Sequence, residues 1–389
     1  MKLQDVCVLF TDGDWIESKD QSNKGIRLVQ TGNIGIGEYL KKEGREKYIA
    51  EETFEELKCT EIYPGDILVS RLPEPVGRGC IIPETNERMI TAVDCTICRI
   101  NEDLLDKRYF CYYLQSAYYY NQLKKSVTGT TRKRISRKNL GNVEIKIPNR
   151  TRQLEIVNVL DKITLMIHSR KQQLQQLDEL VKARFVEMFG DVESKVPISC
   201  LCNVSGGYSF KSSDITHDGD IRILQIGNVY IGNVNWDTVN YLPKGYGEIH
   251  SRFLLNKGDI VIALTRPIIQ SLGNAKACIV QERDIPCLLN QRVGRISSRS
   301  DKNVSLEFVY GCLMTDEFTR YVESCCIGCS QPNISTKDID DYLIPDVSFE
   351  EQMKYVQFKE QVDKSKFAVQ QSLDKLETLK KSLMQKYFG

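Results

Sequence analysis

Two cysteine pairs, Cys95 with Cys98 and Cys326 with Cys329, have the two-residue spacing of zinc knuckles. Zinc needs further ligands, and the histidines of the chain are scattered: His168, His217 and His250. Cys95 and Cys98 also lie in an apolar, strand-like run, where a place in the core is expected. We therefore predict no metal site, and we expect the cysteines to be reduced thiols of a cytoplasmic protein.

Motifs for nucleotide and nucleic-acid chemistry are incomplete. Pro345-Asp346 has no suitable Glu-x-Lys after it, and Glu144-Ile-Lys146 has no Pro-Asp before it, so we predict no nuclease of that type. The chain has no Pro-Pro for an adenine methyltransferase motif and no Gly-x-x-x-x-Gly-Lys-Ser/Thr loop for an ATP-driven motor. The sequence therefore predicts a protein without catalysis of its own and with no bound cofactor.

One segment, KKSVTGTTRKRISRK, concentrates positive charge without an acidic residue. Its basic residues are Lys124, Lys125, Arg132, Lys133, Arg134, Arg137 and Lys138. The formal net charge of the whole chain is only +1, so the charge is local. A basic loop of this density suits contact with DNA phosphates, and the alternative is a solvated loop without a partner.

The chain contains the same pattern twice. IRLVQTGNIGIG begins at Ile26, and IRILQIGNVYIG begins at Ile221. Further matches keep the same order and nearly the same offset, among them PGDILVSR with KGDIVIALTR and GTTRKRISRKNL with GCSQPNISTKDI. The cysteine pairs fall at non-equivalent places, which is a further argument against an inherited metal site. We predict two tandem α+β domains with mixed small β-sheets, at residues 1–150 and 191–347, each followed by a long helix.

The helices are predicted at residues 151–190 and 348–389. In the first, apolar residues recur at heptad spacing: Leu160, Ile163, Ile167, Leu174, Leu177, Val181 and Met188. In the second the matching positions are Val362, Val369, Leu376 and Leu383, with Lys359, Lys366 and Lys380 at the other seam position. This pattern favours an antiparallel coiled-coil pair, each helix about 57 Å long for roughly 38 residues. The alternative is two amphipathic helices, each docked on its own domain.

Loops where the two copies differ are the expected places for base reading. Arg266, Gln270 and Arg78 lie in such loops and are candidates. Arg71 and Arg266 are candidates for DNA contact because they follow strand-like runs. The segment of the second copy that corresponds to the basic segment offers three further candidates: Gln331, Asn333 and Lys337. The repeated IRxxQxGN residues are the same in both copies, so we predict a framework role for them.

The repeated unit resembles the specificity (S) subunit of type I restriction–modification systems over the whole chain. The most telling stretches are GTTRKRISRKNLGNVEIKIPNRTRQLEIVNVLDKI, GCSQPNISTKDIDDYLIPDVSFEEQMKYV and WIESKDQSNKGIRLVQTGNIG. The resemblance implies two target-recognition domains joined by two antiparallel helices. Each domain would read one half of a split double-stranded DNA site, while the helices would set the gap.

The resemblance also implies partners. Two methylation subunits would dock on the helices and carry the S-adenosylmethionine chemistry, and a separate restriction motor subunit would use ATP and Mg. The alternative function is a duplicated coiled-coil adaptor that does not read DNA, and the basic segment speaks against it. No apolar run is long enough to span a bilayer, so we predict no membrane association.

Overall fold

A computed structural model describes residues 1–269, 272–326 and 332–389, which divide into two compact units. The first unit comprises Met1–Lys171 and Gln371–Gly389, and the second comprises Gln172–Gln370. Each unit contains one predicted domain and part of both long helices. The predicted fold class, a duplicated α+β domain with two long helices, is confirmed. The predicted domain ranges differ from the compact units, because the units divide each helix near its middle.

The first unit contains two sheets, four short helices and parts of both long helices. Its strands are β1 (Cys7–Asp12), β2 (Gln21–Ser22), β3 (Ile26–Val29), β4 (Tyr48–Ile49), β5 (Glu61–Ile62), β6 (Ile67–Ser70), β7 (Gly79–Ile81), β8 (Met89–Thr91) and β9 (Cys95–Ile100). Its helices are α1 (Glu51–Leu57), α2 (Lys107–Tyr113), α3 (Ala117–Lys124), α4 (Arg137–Gly141) and α5 (Arg150–Phe189).

The second unit repeats this order with additional short strands. Its strands are β10 (Lys195–Pro197), β11 (Cys202–Gly206), β12 (Ile221–Leu224), β13 (Asn240–Leu242), β14 (Ile260–Ala263), β15 (Ile268–Ile269), β16 (Asn274–Ala275), β17 (Ala277–Ile279), β18 (Cys287–Leu289), β19 (Val293–Ser298) and β20 (Leu343–Pro345). Its helices are α6 (Tyr246–Ile249), α7 (Leu306–Leu313), α8 (Asp316–Cys325), α9 (Thr336–Asp341) and α10 (Phe349–Phe388).

The sheets show that the sequence repeat is a repeat of topology. The antiparallel sheet β1-β9-β6-β7 of the first unit has its counterpart in β11-β19-β14-β17 of the second. The parallel pair of β3 with β8 is likewise repeated by β12 with β18. The matched strands carry the matched sequences, so the internal repeat predicted from sequence is confirmed.

The repeated Ile-Ser motif starts a short helix in each unit. The Ser136 hydroxyl accepts a hydrogen bond from Asn139 N at the start of α4, and the Ser335 hydroxyl accepts one from Asp338 N at the start of α9. Such N-caps satisfy a backbone donor that the helix leaves open. The preceding isoleucine is buried in both units, so the motif anchors the end of the loop before it.

A buried glutamine attaches the start of each long helix to its domain. Gln153 accepts a hydrogen bond from Asp106 N at 2.7 Å and donates to Leu104 O at 3.1 Å and Pro148 O at 2.9 Å. Gln352 of the second unit accepts one from Ser305 N at 2.9 Å. Both side chains are almost fully buried, and Gln352 also donates to Val347 O. The repeated glutamine therefore satisfies backbone groups that burial would otherwise leave open.

The long helices α5 and α10 run antiparallel to each other within each unit. In the first unit, Arg152 lies over the Tyr387 ring and Lys171 pairs with Glu377 at 3.2 Å. In the second unit, Arg184 lies over the Phe358 ring, and an ion pair links residues 366 and 178. As the residue number rises along α5, the number of the contacting residue on α10 falls, so the two helices run in opposite directions. The predicted pairing is confirmed, and the alternative of separately docked helices is wrong.

The heptad seam is buried to different degrees along the helices. Leu160, Ile163 and Ile167 are buried, whereas the later seam residues of α5 are half-buried. The seam lysines of α10 are half-buried and each has a partner: Lys359 with Glu307 and Asp363, Lys366 with Asp178, and Lys380 over the Tyr112 ring. Their aliphatic stems can therefore cover apolar surface while their ammonium groups find anions or a ring.

Replacement of Gln153 by alanine should lower the free energy of unfolding by about 3 kcal/mol, because one buried and two partly buried backbone groups lose their partner. Urea unfolding followed by circular dichroism measures this. Gln175→Ala is the matched control, since Gln175 lies exposed on the same helix and bonds only Glu179 in the described residues. Equal stability of the two variants would contradict the anchoring role of Gln153.

Candidate nucleic-acid interface

Three loops meet at the same end of the four-stranded sheet in each unit. In the first unit, Ile135 N donates to Arg71 O at 3.2 Å, and Arg71 N donates to Asp94 O at 2.9 Å. In the second, Ile334 N donates to Leu264 O and Leu264 N donates to Arg292 O, both at 2.9 Å. We name these surfaces the three-loop faces: residues 71–78, 92–94 and 128–138 in the first unit, and 264–267, 290–292 and 332–337 in the second.

The predicted basic segment forms one edge of the first three-loop face. All seven of its basic side chains are exposed. Lys133 pairs with Glu74 at 2.7 Å, and Arg137 lies 3.8 Å from an Asp12 carboxylate oxygen. Within the described ranges, the remaining five form no hydrogen bond or ion pair through their side chains: Lys124, Lys125, Arg132, Arg134 and Lys138. Exposed ion pairs are weak, so the whole segment can turn its charge toward an anionic partner.

Arg71 lies at the centre of the first face and is half-buried. Its Nη2 donates to Val93 O at 2.6 Å, its Nη1 donates to Ile135 O at 3.4 Å, and its Nε is 3.3 Å from the Asp12 carboxylate. The guanidinium thus donates hydrogen bonds to both neighbouring loops and forms an ion pair with a carboxylate. It holds the face together, and its contact with DNA stays a prediction.

Arg78 is more completely enclosed, with 9% of its surface exposed. Its Nε donates to Ile34 O and its Nη2 to Thr31 O, while its Nη1 donates to the carbonyls of Pro73 and Pro75. Four of the five guanidinium N–H groups are therefore bound to backbone carbonyls. The position expected to read a base instead joins two loops, and a DNA contact through the remaining N–H stays a prediction.

The second three-loop face has a different set of exposed side chains. Arg266, Asn333 and Lys337 are exposed there, and Arg266 N donates to Pro332 O at 2.8 Å. Thr265 pairs with Asn333, which places these predicted residues beside each other. Gln270 and Gln331 lie outside the described residues.

The structure corrects the equivalence of Arg71 and Arg266 that the sequence match indicated. Arg71 N and Leu264 N each donate to the residue just before β9 or β19, so Leu264 is the true counterpart of Arg71. Arg266 comes two residues later. Sequence matching aligned the two arginines because it opened a gap in the loop, whereas the backbone bonds keep the register continuous through the strand.

Sequence reasoning missed two exposed residues, Gln291 and Arg292, in the loop before β19. They occupy the place of Val93 and Asp94 in the first unit, as the bonds to Arg71 N and Leu264 N indicate. The change from an acidic to a basic residue at one place of the repeat is visible in the sequence. This change could indicate a DNA-contacting residue only once the register of the two copies was known.

The asparagines of the repeated IRxxQxGN pattern bond to the backbone in both units, and the framework role of the other repeated residues stays a prediction. Asn33 accepts a hydrogen bond from Gln30 N at 3.0 Å and donates to Leu40 O. Asn228 makes the equivalent bond with Gln225 N at 2.9 Å. Both asparagines are buried and close the same turn, because the amide side chain supplies a donor and an acceptor together.

The cysteine pair of the first unit lies in the core of β9. Cys95 and Cys98 have no exposed surface, and burial raises the pKa of Cys95 to about 12. Burial also raises the pKa of Cys98, because the apolar core disfavours the charged thiolate. No group of three potential metal ligands occurs among the residues that the structure describes. Cys329 lies outside the described residues.

Among the described helices, none is long and apolar enough to cross a bilayer.

A family model of the type I restriction modification DNA specificity domain matches residues 1–179 and again residues 191–380. The chain therefore belongs to this family. The two matches coincide with the two copies of the repeat, so the family resemblance seen in the sequence is confirmed.

Two curated proteins are similar to the chain. The type I restriction enzyme MjaVIII specificity subunit of Methanocaldococcus jannaschii is 29% identical over 280 residues, which cover 67% of this chain and 65% of that protein. The type I restriction enzyme EcoAI specificity subunit of Escherichia coli is 33% identical over 150 residues, covering 38% of this chain and 24% of that protein. The match thus spans less than two thirds of each relative.

Solved structures show the same fold. One is a chain from a type I R-M system, studied for its complex assembly and conformational transition. Its TM-score is 0.60 at 15% identity, and the match covers 100% of this chain and 96% of that one. The S subunit of a type I restriction–modification system from M. genitalium has a TM-score of 0.52 at 15% identity, covering 100% of this chain and 95% of its own. The whole length of the chain therefore follows a known architecture.

Thiol labelling should separate core cysteines from surface cysteines. Because burial raises the pKa of Cys95 and Cys98, they stay protonated at pH 8 and should resist iodoacetamide in the folded protein, while the exposed Cys200 should react first. Peptide mass spectrometry after timed alkylation gives the order, and labelling in urea is the control in which all three react. Rapid native labelling of Cys95 would contradict its place in the core.

Proposed function

We propose that this chain is the DNA sequence-recognition subunit of a type I restriction–modification complex. Each domain reads one half of a split double-stranded DNA site, and the paired helices set the gap between the halves. The chain has no catalysis of its own and works in the cytoplasm. The alternative of an adaptor that does not read DNA finds no support in the family to which the chain belongs.

The observation that carries this proposal is the repeated three-loop face. A backbone framework built by the same bonds presents different side chains in the two units, basic in the first and mixed Arg, Gln and Asn in the second. Recognition of two unlike half-sites requires this combination of a constant scaffold and variable exposed loops. An adaptor would have no need for the exposed basic segment.

Contacts with phosphate and contacts with bases have different chemical requirements. The segment Lys124–Lys138 offers clustered, flexible cations, which suit phosphates and supply affinity that falls with salt. Arg266, Asn333 and, outside the described residues, Gln270 and Gln331 have the planar donor groups that match base edges in the major groove. We assign phosphate contact mainly to the first group and base contact to the second.

The role of a DNA sequence-recognition subunit also implies protein partners. The long helices dock methylation subunits, two per chain, which bind S-adenosylmethionine and methylate adenine. A restriction motor subunit, when present, supplies ATP- and Mg-dependent cleavage. Exposed apolar residues on the helices support a docking role: Leu165, Met166, Val186 and Phe367 are all more than half exposed.

The test is co-expression of the chain with its methylation subunit, followed by single-molecule sequencing of N6-methyladenine. We expect modified adenines in a split motif with a constant unspecified gap. Exchange of residues 191–347 for those of another family member should then change only one half-site, which assigns that half to the second domain. A single continuous motif, or no complex at all, would contradict the proposal.

The basic segment should determine the salt dependence of DNA binding. Replacing Arg132 and Arg134 by glutamine should reduce the slope of log affinity against log salt by about 1 for each phosphate that the variant no longer binds. Fluorescence anisotropy with duplex DNA between low and physiological salt measures the slope. Lys24→Gln together with Lys162→Gln removes equal charge from exposed positions outside the three-loop face and should leave the slope nearly unchanged.

A further inference from the structure

Two arginines of the second three-loop face have a backbone conformation that arginine rarely adopts. Arg266 has a φ of 49° and Arg292 a φ of 67°, both in the left-handed region. A residue with a β-carbon is disfavoured there, and such positions tend to gather at functional sites. Their presence on adjoining loops indicates that these two side chains serve a purpose that a glycine would not.

Backbone bonds hold both arginines in place. Leu264 N donates to Arg292 O at 2.9 Å, and Arg266 N donates to Pro332 O at 2.8 Å. Gln291 N donates to Tyr208 O and to the Asn290 side chain, each at 2.8 Å. The loop that carries Gln291 and Arg292 is therefore supported on both sides. A rigid backbone lowers the entropy lost when its side chains bind.

The side chains themselves are available. Gln291, Arg292 and Arg266 are exposed, and within residues 1–269, 272–326 and 332–389 their side chains make no hydrogen bond or ion pair. The first unit has Asp94 in the place of Arg292, and its central arginine, Arg71, is bound to Val93 O, Ile135 O and Asp12. The second face therefore presents at its centre the donors that the first face lacks.

An aromatic group borders this centre. Tyr208 is 40% exposed, and its ring packs 4.5 Å from the His250 ring, 4.9 Å from Phe210 and 5.3 Å from Phe253, measured between ring centroids. Because Gln291 N donates to Tyr208 O, the backbone of Tyr208 is bonded directly to the loop before β19.

We propose that Gln291 and Arg292 read base edges in the half-site of the second domain, with Arg292 selecting a guanine. This inference rests on the proposed function and adds specificity residues to it. A guanidinium pairs with guanine O6 and N7 in the major groove, and a glutamine amide pairs with adenine N6 and N7. Adjacent Gln and Arg on one rigid loop would thus read neighbouring bases.

Base reading fits this pair better than phosphate contact does. Phosphate contact needs charge without a defined direction, as on the flexible side chains of Lys124–Lys138. The loop before β19 is held instead in one strained conformation, and strain of this kind is expected where the direction of a side chain matters. Phosphate contact by Arg292 is the alternative that the experiment must separate.

The experiment uses the complete complex of chain and methylation subunit, with Arg292→Gly, Gln291→Ala and Lys302→Ala. The base preference is measured by mapping the methylated motif and by competition binding with duplexes that carry each base at each position of the second-domain half-site. Arg292→Gly should lose about 5- to 150-fold discrimination at one guanine of the second-domain half-site. Its melting temperature should not fall, because glycine adopts a positive φ freely. Lys302 is exposed beyond the opposite end of β19, so Lys302→Ala should change neither property.

Three results are distinguishable from the expected one. Unchanged base preference in a folded Arg292→Gly complex would overturn the inference. Equal weakening for all sequences, with a smaller salt slope, would make Arg292 a phosphate contact and would also overturn it. If the unaltered complex itself shows no split motif, the proposed function fails, and that outcome is seen before any variant is compared.

Discussion

The packing of the last residues of each long helix is the interaction on which both units depend. In the first unit the Phe388 ring lies 5.1 Å from Tyr109 and 6.3 Å from Tyr113, and in the second the Phe189 ring lies 5.0 Å from Phe308. An isolated amphipathic helix is marginal in water, so each helix end gains its stability from a domain core. The core of the first unit is consequently closed by the end of the chain, which is why the compact unit is not a continuous segment.

Duplication has preserved the residues that satisfy backbone groups and changed those that face outward. Gln153 and Gln352, both buried, each accept a hydrogen bond from an equivalent backbone N–H, and so do Asn33 and Asn228. A buried donor or acceptor without a partner is costly, so these positions tolerate little change. An exposed loop residue carries no such constraint. Recognition surfaces can therefore diverge on a scaffold that stays the same.

The candidate site could be predicted in part. The exposed basic segment was visible because clustered charge without an acid is rarely buried. Arg266 and Asn333 are also exposed, and their contact with DNA stays a prediction. The enclosure of Arg78 was not visible, because its acceptors, Ile34 O and Thr31 O, come from a distant loop. Gln291 and Arg292 were missed because their importance depends on which loops adjoin theirs.

The sequence alone determined the duplication, the α+β class, the antiparallel helices and the family. Each of these depends on the order, spacing or periodicity of residues along the chain. The tertiary structure decided which arginines are free and which are bound to carbonyls. It also decided that the compact units divide the long helices, and that Leu264, not Arg266, corresponds to Arg71. These properties depend on hydrogen bonds and packing between segments far apart in sequence, and no local pattern records which segments will meet.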